Sequence, residues 1–221
     1  MSENWPKAYK DGLQDFYGRG FLVTPDVLIP RPETEMMVDA VLNLAGRAYL
    51  PGVKPSEAVL PANLKILDVG TGAGCVAITL KLELPEADVC ACDISEKSLL
   101  IAKKNAKRLG AKVDFCCSDL MENIVGNFDV IVTNLPYVDK DWDWLDLEAL
   151  GCEPELALFA EDGGLFLIKK LISQAAKRCK NLVLEADPCQ HDEIKKYTLT
   201  HGLEYIETRG FCLTFRSKRL E

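Results

Sequence analysis

Lys65-Ile66-Leu67-Asp68-Val69-Gly70-Thr71-Gly72-Ala73-Gly74-Cys75 reads as a strand that breaks into a glycine turn and opens a helix. The glycines permit a tight turn and a close approach of backbone to ligand. In a dinucleotide-binding loop the third glycine would fall at Cys75, whereas the spacing here is Gly-x-Gly-x-Gly. Downstream, the pattern alternates. It predicts strands at Asp88–Cys92, Lys112–Cys116, Phe128–Thr133 and Asn181–Ala186, with helices at Ser95–Leu109, after Gly164 and near Asp192–Thr200. Such alternation implies a parallel sheet covered on both faces. The end of the chain differs, because Leu203–Thr208 and Phe211–Phe215 are joined only by Arg209-Gly210. That link is too short for a parallel crossover, so the two form a hairpin and one terminal strand runs antiparallel. Upstream, residues 1–32 are expected to be loop-like, followed by a helix from Glu33 to Arg47 and a loop punctuated by Pro51, Pro55 and Pro61.

A formal net charge of −8 and a pI of about 5.0 argue against tight binding to nucleic acid, whose phosphates want a basic face. Lys103, Lys104, Lys107 and Arg108 are read as a solvated helix face rather than a nucleic-acid footprint. None of the nine cysteines forms a C-x-x-C pair and only two histidines exist, which disfavours a structural zinc site. Cys75, Cys90, Cys92, Cys116 and Cys212 lie in apolar stretches and are expected as small core residues. Met1–Lys7 lacks an apolar signal region and no run approaches a membrane span, so a reducing cytoplasm is expected, with no membrane partner.

Two carboxylates and one tetrapeptide follow the strands at their carboxyl ends, where open α/β sheets bind ligands. Asp93 ends the second strand, at the distance where an acid accepts bonds from ribose hydroxyls; Asp119-Leu120 follows the third. The competing reading is that Asp93 and Asp119 cap the helices after them. Asn134-Leu135-Pro136-Tyr137 follows Phe128–Thr133 and can hold a planar amino group, two oxygens accepting its N–H bonds while the ring packs on its face. The plainer reading of Asn134 and Tyr137 is a turn former and a half-buried ring.

That tetrapeptide resembles the Asn-Pro-Pro-Tyr motif of methyltransferases that modify amide or exocyclic amino nitrogens, with Leu135 at a proline position. The glycine spacing resembles the S-adenosylmethionine loop. Near the start stands Val27-Leu28-Ile29-Pro30-Arg31-Pro32-Glu33-Thr34-Glu35, a stiff strap leading into a helix. Taken together, these segments resemble the HemK/PrmC family, which methylates a glutamine side-chain amide in peptide-chain release factors. The resemblance runs from Phe16 to Phe215 and includes Glu153-Pro154, Ala157-Leu158, Gly163-Gly164-Leu165, Glu185 and Gln190.

It implies a class I S-adenosylmethionine-dependent methyltransferase fold, α/β and Rossmann-like, with a mostly parallel seven-stranded sheet. Residues 1–60 would form a strap and helix packed on the core, and 61–221 the methyltransferase domain, a single compact unit overall. S-adenosyl-L-methionine would be held by Asp68, Gly70, Thr71, Gly72, Ala73, Gly74, Asp93, Asp119, Leu120 and Asn134. Catalysis would rest on Asn134, Leu135, Pro136 and Tyr137, and substrate contacts on these with Arg31, Pro32 and Glu33. For Arg31 and Glu33 a loop-pinning ion pair is the favoured alternative. Leu135 retains the backbone carbonyl the motif uses, and Pro136 keeps that residue extended. Asp187 stands where the family has glycine, and only about fifteen residues precede the resemblance, where bacterial members carry a helical domain.

The expected partner is therefore a release factor, methylated on N5 of the glutamine in a Gly-Gly-Gln motif by a monomer that needs no nucleic acid. Two alternatives stand beside it: a nucleic-acid exocyclic-amine N-methyltransferase, and a catalytically silent cofactor-binding interaction module. A dehydrogenase is disfavoured by the glycine spacing and the hairpin. Trp5, Trp142 and Trp144 are candidate contacts, with helix packing the competing reading for Trp142 and Trp144.

Overall fold

Strand β3 (Lys65–Val69) is buried from Ile66 to Val69, as befits a strand covered on both faces. The computed structural model describes residues 5–47, 63–143, 145 and 151–218. Around β3 the chain lays down β4 (Asp88–Asp93), β5 (Asp114–Cys117), β6 (Phe128–Thr133), β7 (Cys179–Glu185), β8 (Leu203–Arg209) and β9 (Cys212–Ser217). Their order in space is β5-β4-β3-β6-β7-β9-β8. The β3, β4, β5, β6 and β7 pairings are parallel, and β9 runs antiparallel to both β7 and β8. The expected terminal hairpin is present, with Arg209 opposite Cys212 across Gly210-Phe211.

Alternate residues feed two cores. Ile66, Val130, Val132 and Val183 join the layer formed by α2 (Glu35–Leu44), α3 (Cys75–Glu83) and α4 (Glu96–Leu109). Leu67, Val69, Ile131, Leu182 and Leu184 face α6 (Phe166–Ala175) and α7 (His191–Thr200). The period-2 alternation of each strand thus carries one apolar set to each helical layer. Among the described residues, the four-residue α5 (Glu155–Leu158) lies between α4 and α6, and α4 packs on one face of β5, where Phe115 joins its core. Cys75, Cys92 and Cys212 are buried, but Cys90 is half-buried and Cys116 exposed. Cys116 alternates with Phe115 on this edge strand and falls on the face left to solvent, which corrects the expectation of a core role for it.

The N-terminal segment also departs from expectation. It carries α1 (Lys7–Asp11) and a hairpin of β1 (Leu13–Phe16) with β2 (Arg19–Leu22) rather than a loop. Tyr17 and Gly18 turn the hairpin with φ of 52° and 69°, the left-handed pair that a two-residue turn requires. Tyr17 can hold that conformation because Glu35 Oε1 accepts its N–H at 2.7 Å and Asp39 Oδ1 its hydroxyl at 2.8 Å. Phe16 and Phe21 then enter the same core as α2 and α3. The helix expected from Glu33 is a 3-10 turn over Pro32–Thr34 followed by α2. Lys103, Lys104, Lys107 and Arg108 lie on the exposed face of α4. The proline loop at 51–61 and Trp144 lie outside the described residues. Among those described, no helix is long and apolar enough to cross a membrane.

Candidate active site

The chain winds outward from β3 through β4 to β5, then returns on the other side of β3 as β6. This reversal opens a crevice at the carboxyl ends of β3 and β6, the place where α/β sheets bind ligands. The glycine loop forms one lip. Gly70, Gly72 and Gly74 have φ of 75°, 55° and 83°. Gly70 and Thr71 donate their N–H groups to the Cys92 carbonyl at 2.9 and 3.0 Å, fastening the loop to β4. Asp68, 2% exposed, accepts from the Thr71 hydroxyl at 2.7 Å and the Ala77 N–H at 3.2 Å. Burial pushes its pKa up to about 7, against the pull of these two hydrogen bonds, and the nearby Asp93 charge adds to the rise.

Asp93 accepts the Gly72 N–H at 2.9 Å and the Ser95 N–H at 2.8 Å. Its pKa is raised, mainly by burial. The cap of α4 is Ser95, whose hydroxyl accepts the Ser98 N–H at 3.2 Å, so Asp93 orders the loop rather than capping the helix. A side chain on Gly72 would meet nothing within 4 Å, which leaves open space above the loop. One on Gly74 would press on Ile78 and Ala102, so that glycine serves the packing of α3 against α4.

A cavity of about 210 Å³ fills the crevice. Of the residues expected to bind, Arg31, Asp68, Gly70, Thr71, Gly72, Ala73, Asp93, Asp119, Leu120, Asn134, Leu135 and Pro136 line it, whereas Pro32, Glu33, Gly74 and Tyr137 do not. Pro32 and Glu33 are exposed. Asp119 accepts from Lys170 Nζ at 2.7 Å. Leu120 sits at φ 47° although it is 6% exposed, and its carbonyl accepts from the Cys92 thiol at 3.3 Å. A buried leucine in the left-handed region is strained, and such strain clusters at ligand sites. Leu156 and Ile94, 62% and 52% exposed, make the rim apolar.

The tetrapeptide forms the facing lip. The Thr133 hydroxyl donates to the Val69 carbonyl at 2.8 Å, tying β6 to β3 just before it. Asn134 Nδ2 donates to the Thr34 hydroxyl at 3.1 Å. The Leu135 side chain is buried against the glycine loop, its Cδ2 3.0 Å from where a Cβ on Gly70 would stand. The Tyr137 hydroxyl donates to Glu185 Oε1 at 3.1 Å, and burial and the carboxylate push its pKa up. The Tyr137 carbonyl accepts from Gln190 Nε2 at 2.8 Å, and the same nitrogen donates to Gly163 at 2.7 Å. Gly164 lies so close beneath that a Cβ would overlap the Tyr137 carbonyl oxygen. Asp187, at the family's glycine position, instead closes a capping box with Gln190.

The strap covers one side. Ile29 donates its N–H to Glu153 Oε2 at 3.0 Å and Arg31 pairs with Glu153 Oε1. Arg31 is thus engaged in a pinning ion pair while its side chain borders the cavity. Thr34, Glu153, Gly164, Glu185 and Gln190, named in the sequence only as part of the strap or of the family resemblance and given no role there, stand around the tetrapeptide and the strap. For Glu185 the residues alone also carry a signal, because it ends the apolar run Leu182-Val183-Leu184, where a carboxylate needs a reason to be.

Residues 56–182 match the family model described as "Methyltransferase small domain". A release factor glutamine methyltransferase from Koribacter versatilis is 44% identical over 178 residues, covering 79% of this chain and 59% of that protein. One from Neisseria gonorrhoeae is 42% identical over 208 residues, covering 91% of this chain and 71% of that protein. A methyltransferase structure from Pyrococcus furiosus superposes with a TM-score of 0.62 at 18% identity, over 90% of this chain and 89% of that one. The chain therefore spans between about three-fifths and seven-tenths of the two curated relatives named.

Proposed function

The chain belongs to the release factor glutamine methyltransferase family, and from that premise we propose that it methylates N5 of the glutamine in a release factor's Gly-Gly-Gln motif. Its seven-stranded, mostly parallel sheet with a terminal hairpin is the class I methyltransferase fold. The observation that carries the proposal is that Asn134, Leu135 and Pro136 line the same cavity as Gly70, Gly72 and Asp93. Amide-holding and cofactor-holding groups thereby face one volume.

The methyl donor is S-adenosyl-L-methionine, and the residues present fit it. Open space above Gly72 admits a ligand against the backbone. Asp93 keeps acceptor capacity for ribose hydroxyls beside the two N–H groups it already binds. Leu120 and Ile94 offer apolar walls to a flat ring, with Asp119 at its edge. When bound, the cofactor supplies a sulfonium-activated methyl group.

A carboxamide nitrogen is a poor nucleophile because its lone pair is delocalised, so the chain's task is placement. The Asn134 side-chain oxygen and the Leu135 carbonyl accept the two hydrogens of the substrate amide. The same acceptors stabilise positive charge growing on that nitrogen. Tyr137, its hydroxyl held by Glu185, braces the tetrapeptide. Arg31, pinned by Glu153, fixes the strap beside the entrance. The relatives' names weigh for a protein amide over a nucleic-acid amine, and the net charge of −8 weighs the same way. We expect the protein to act as a monomer, in the cytoplasm where translation ends.

Mass spectrometry of a release factor's Gly-Gly-Gln peptide after incubation with protein and cofactor tests the reading. One added methyl on the glutamine is expected, and its absence with Asn134→Ala, at unchanged cofactor affinity. An unmethylated glutamine despite cofactor binding overturns the substrate.

A further inference from the structure

We infer that Glu185 is a positioning residue that decides which way round the Asn134 carboxamide stands, so that its oxygen and not its NH2 faces the cavity. The inference rests on the methyl-transfer reading above, and adds a determinant lying outside the tetrapeptide.

An asparagine amide presents an acceptor on one side and two donors on the other, and the two orientations have nearly the same shape. Only the environment chooses between them. A reversed Asn134 would aim N–H groups at the N–H groups of the substrate and could not hold it. Here Nδ2 points at the Thr34 hydroxyl, 3.1 Å away. That contact alone settles nothing, because a hydroxyl both donates and accepts. The direction comes from what lies behind Thr34. Glu185, 2% exposed at the end of β7, accepts the Tyr137 hydroxyl at 3.1 Å. Thr34 and Asn134 lie against the same carboxylate, and with Tyr137 they offset part of the upward shift that burial imposes on it.

A carboxylate is acceptor-only. The hydroxyls of Thr34 and Tyr137 therefore turn their protons toward it, and Thr34 is left to accept from Asn134 Nδ2. Oε2 of Glu185 is buried without a well-directed donor. A flipped Asn134 would turn its oxygen toward a carboxylate already short of donors, whereas the observed orientation turns its NH2 to that side. The preference is electrostatic, and it reaches the cavity through two side chains from distant parts of the chain, Thr34 and Glu185.

Glu185→Gln tests this. It keeps the volume but replaces one acceptor by an NH2, which removes the direction of the chain of bonds. The expected result is a drop in kcat of about tenfold or more with cofactor affinity unchanged. Adding Asn134→Asp to Glu185→Gln should restore much of the loss: one aspartate oxygen accepts from the new glutamine NH2 and the other faces the substrate. Asn134→Asp alone sets two carboxylates against each other and should stay impaired. A purely structural Glu185 predicts no such rescue.

A readout independent of turnover is the Asn134 side-chain NH2 in 15N NMR. In the wild type it should exchange slowly and show a nuclear Overhauser contact to the Thr34 methyl; both should vanish in Glu185→Gln. Should that variant fail to fold, Thr34→Val removes the intermediate hydroxyl and should cost the same protection. Wild-type turnover in Glu185→Gln, no rescue in the double variant, or an unaltered Asn134 NH2 signal would each overturn the inference. A wild type that leaves the release-factor peptide unmethylated overturns the substrate instead, and leaves the NMR experiment to decide the orientation.

Discussion

The glycine loop and the tetrapeptide face each other across one cavity, yet they are held by different means. The loop is fastened locally: Asp68 bonds Thr71 and Ala77, three and nine residues away, and Asp93 bonds Gly72 at a separation of 21. The tetrapeptide depends on the rest of the chain. Asn134 reaches Thr34 across 100 residues, Tyr137 reaches Glu185 and Gln190 across 48 and 53, and Arg31 reaches Glu153 across 122. One lip is therefore a property of a single βαβ unit, and the other a property of the whole fold. Damage far from the chemistry should reach the lip proposed to hold the amide and spare the one proposed to hold the cofactor.

Gly164→Ala gives the sharpest contrast. Its φ of +81° suits glycine, and an added Cβ would overlap the Tyr137 carbonyl and stand 2.6 Å from Gln190 Nε2. The tetrapeptide must shift or the helix behind it must. We expect a stability loss on the order of 4 kcal/mol, and a fall of about a hundredfold in methyl transfer. Cofactor affinity, measured by calorimetry, should change by less than about threefold, since that site is left in place. A parallel loss of cofactor binding would break the contrast between the two lips.

This contrast also explains what could be read from the sequence. The sheet, the terminal hairpin and the glycine loop are written in contiguous stretches, where period and spacing carry the signal. Asp93 was visible at the end of its strand for the same reason. Tyr137 was legible as part of a motif, but not the partner of its hydroxyl, because Glu185 comes 48 residues later. Gly74 looked like a ligand-facing glycine until α4 came to rest on it through Ala102. The first hairpin escaped because each of its four-residue strands buries a single position and so shows little alternation, and its turn depends on Glu35 and Asp39.

The local lip has its own weak point, and pH should expose it. Asp68 has a folded pKa of about 7, above the value near 3.9 of an unfolded carboxyl. The folded state therefore holds a proton that the unfolded state gives up between these values. Relative stability is full below about pH 4, declines as pH rises through the window, and is flat above the folded pKa. Asp68→Asn keeps an acceptor for Thr71 and Ala77 but removes the titration. Its advantage over the wild type should grow from pH 5 to pH 8 by on the order of 3 kcal/mol, read from urea unfolding. Parallel stability curves for the two proteins would show that Asp68 ionises normally.

On the distant side, Glu153→Gln weakens the pair that pins the strap. The Glu153 side chain is 3% exposed but that of Arg31 is 36% exposed, so solvent screens part of the attraction. A cost of about 2 kcal/mol is expected. Transfer should suffer through KM for the release-factor peptide, with cofactor affinity again unmoved.

The smallest effect tests the one place where the two lips touch directly. Leu135 Cδ2 lies 3.0 Å from where a Cβ on Gly70 would stand, so Gly70→Ala strains both lips at once. Part of that strain is backbone, since Gly70 has φ of +75°, and part is the clash with Leu135. Leu135→Ala removes the second part only. In a double-mutant cycle Gly70→Ala should therefore cost less in the Leu135→Ala background, by about 1 kcal/mol. The remaining cost, on the order of 1 kcal/mol, belongs to the left-handed backbone and should persist in both backgrounds. Strict additivity would mean that Leu135 moves aside freely, and that the branched side chain at this motif position leaves the loop unconstrained. A coupling of the expected size would mean that the residue in place of proline has become a strut between the lips, setting the width of the cavity from the side of the amide.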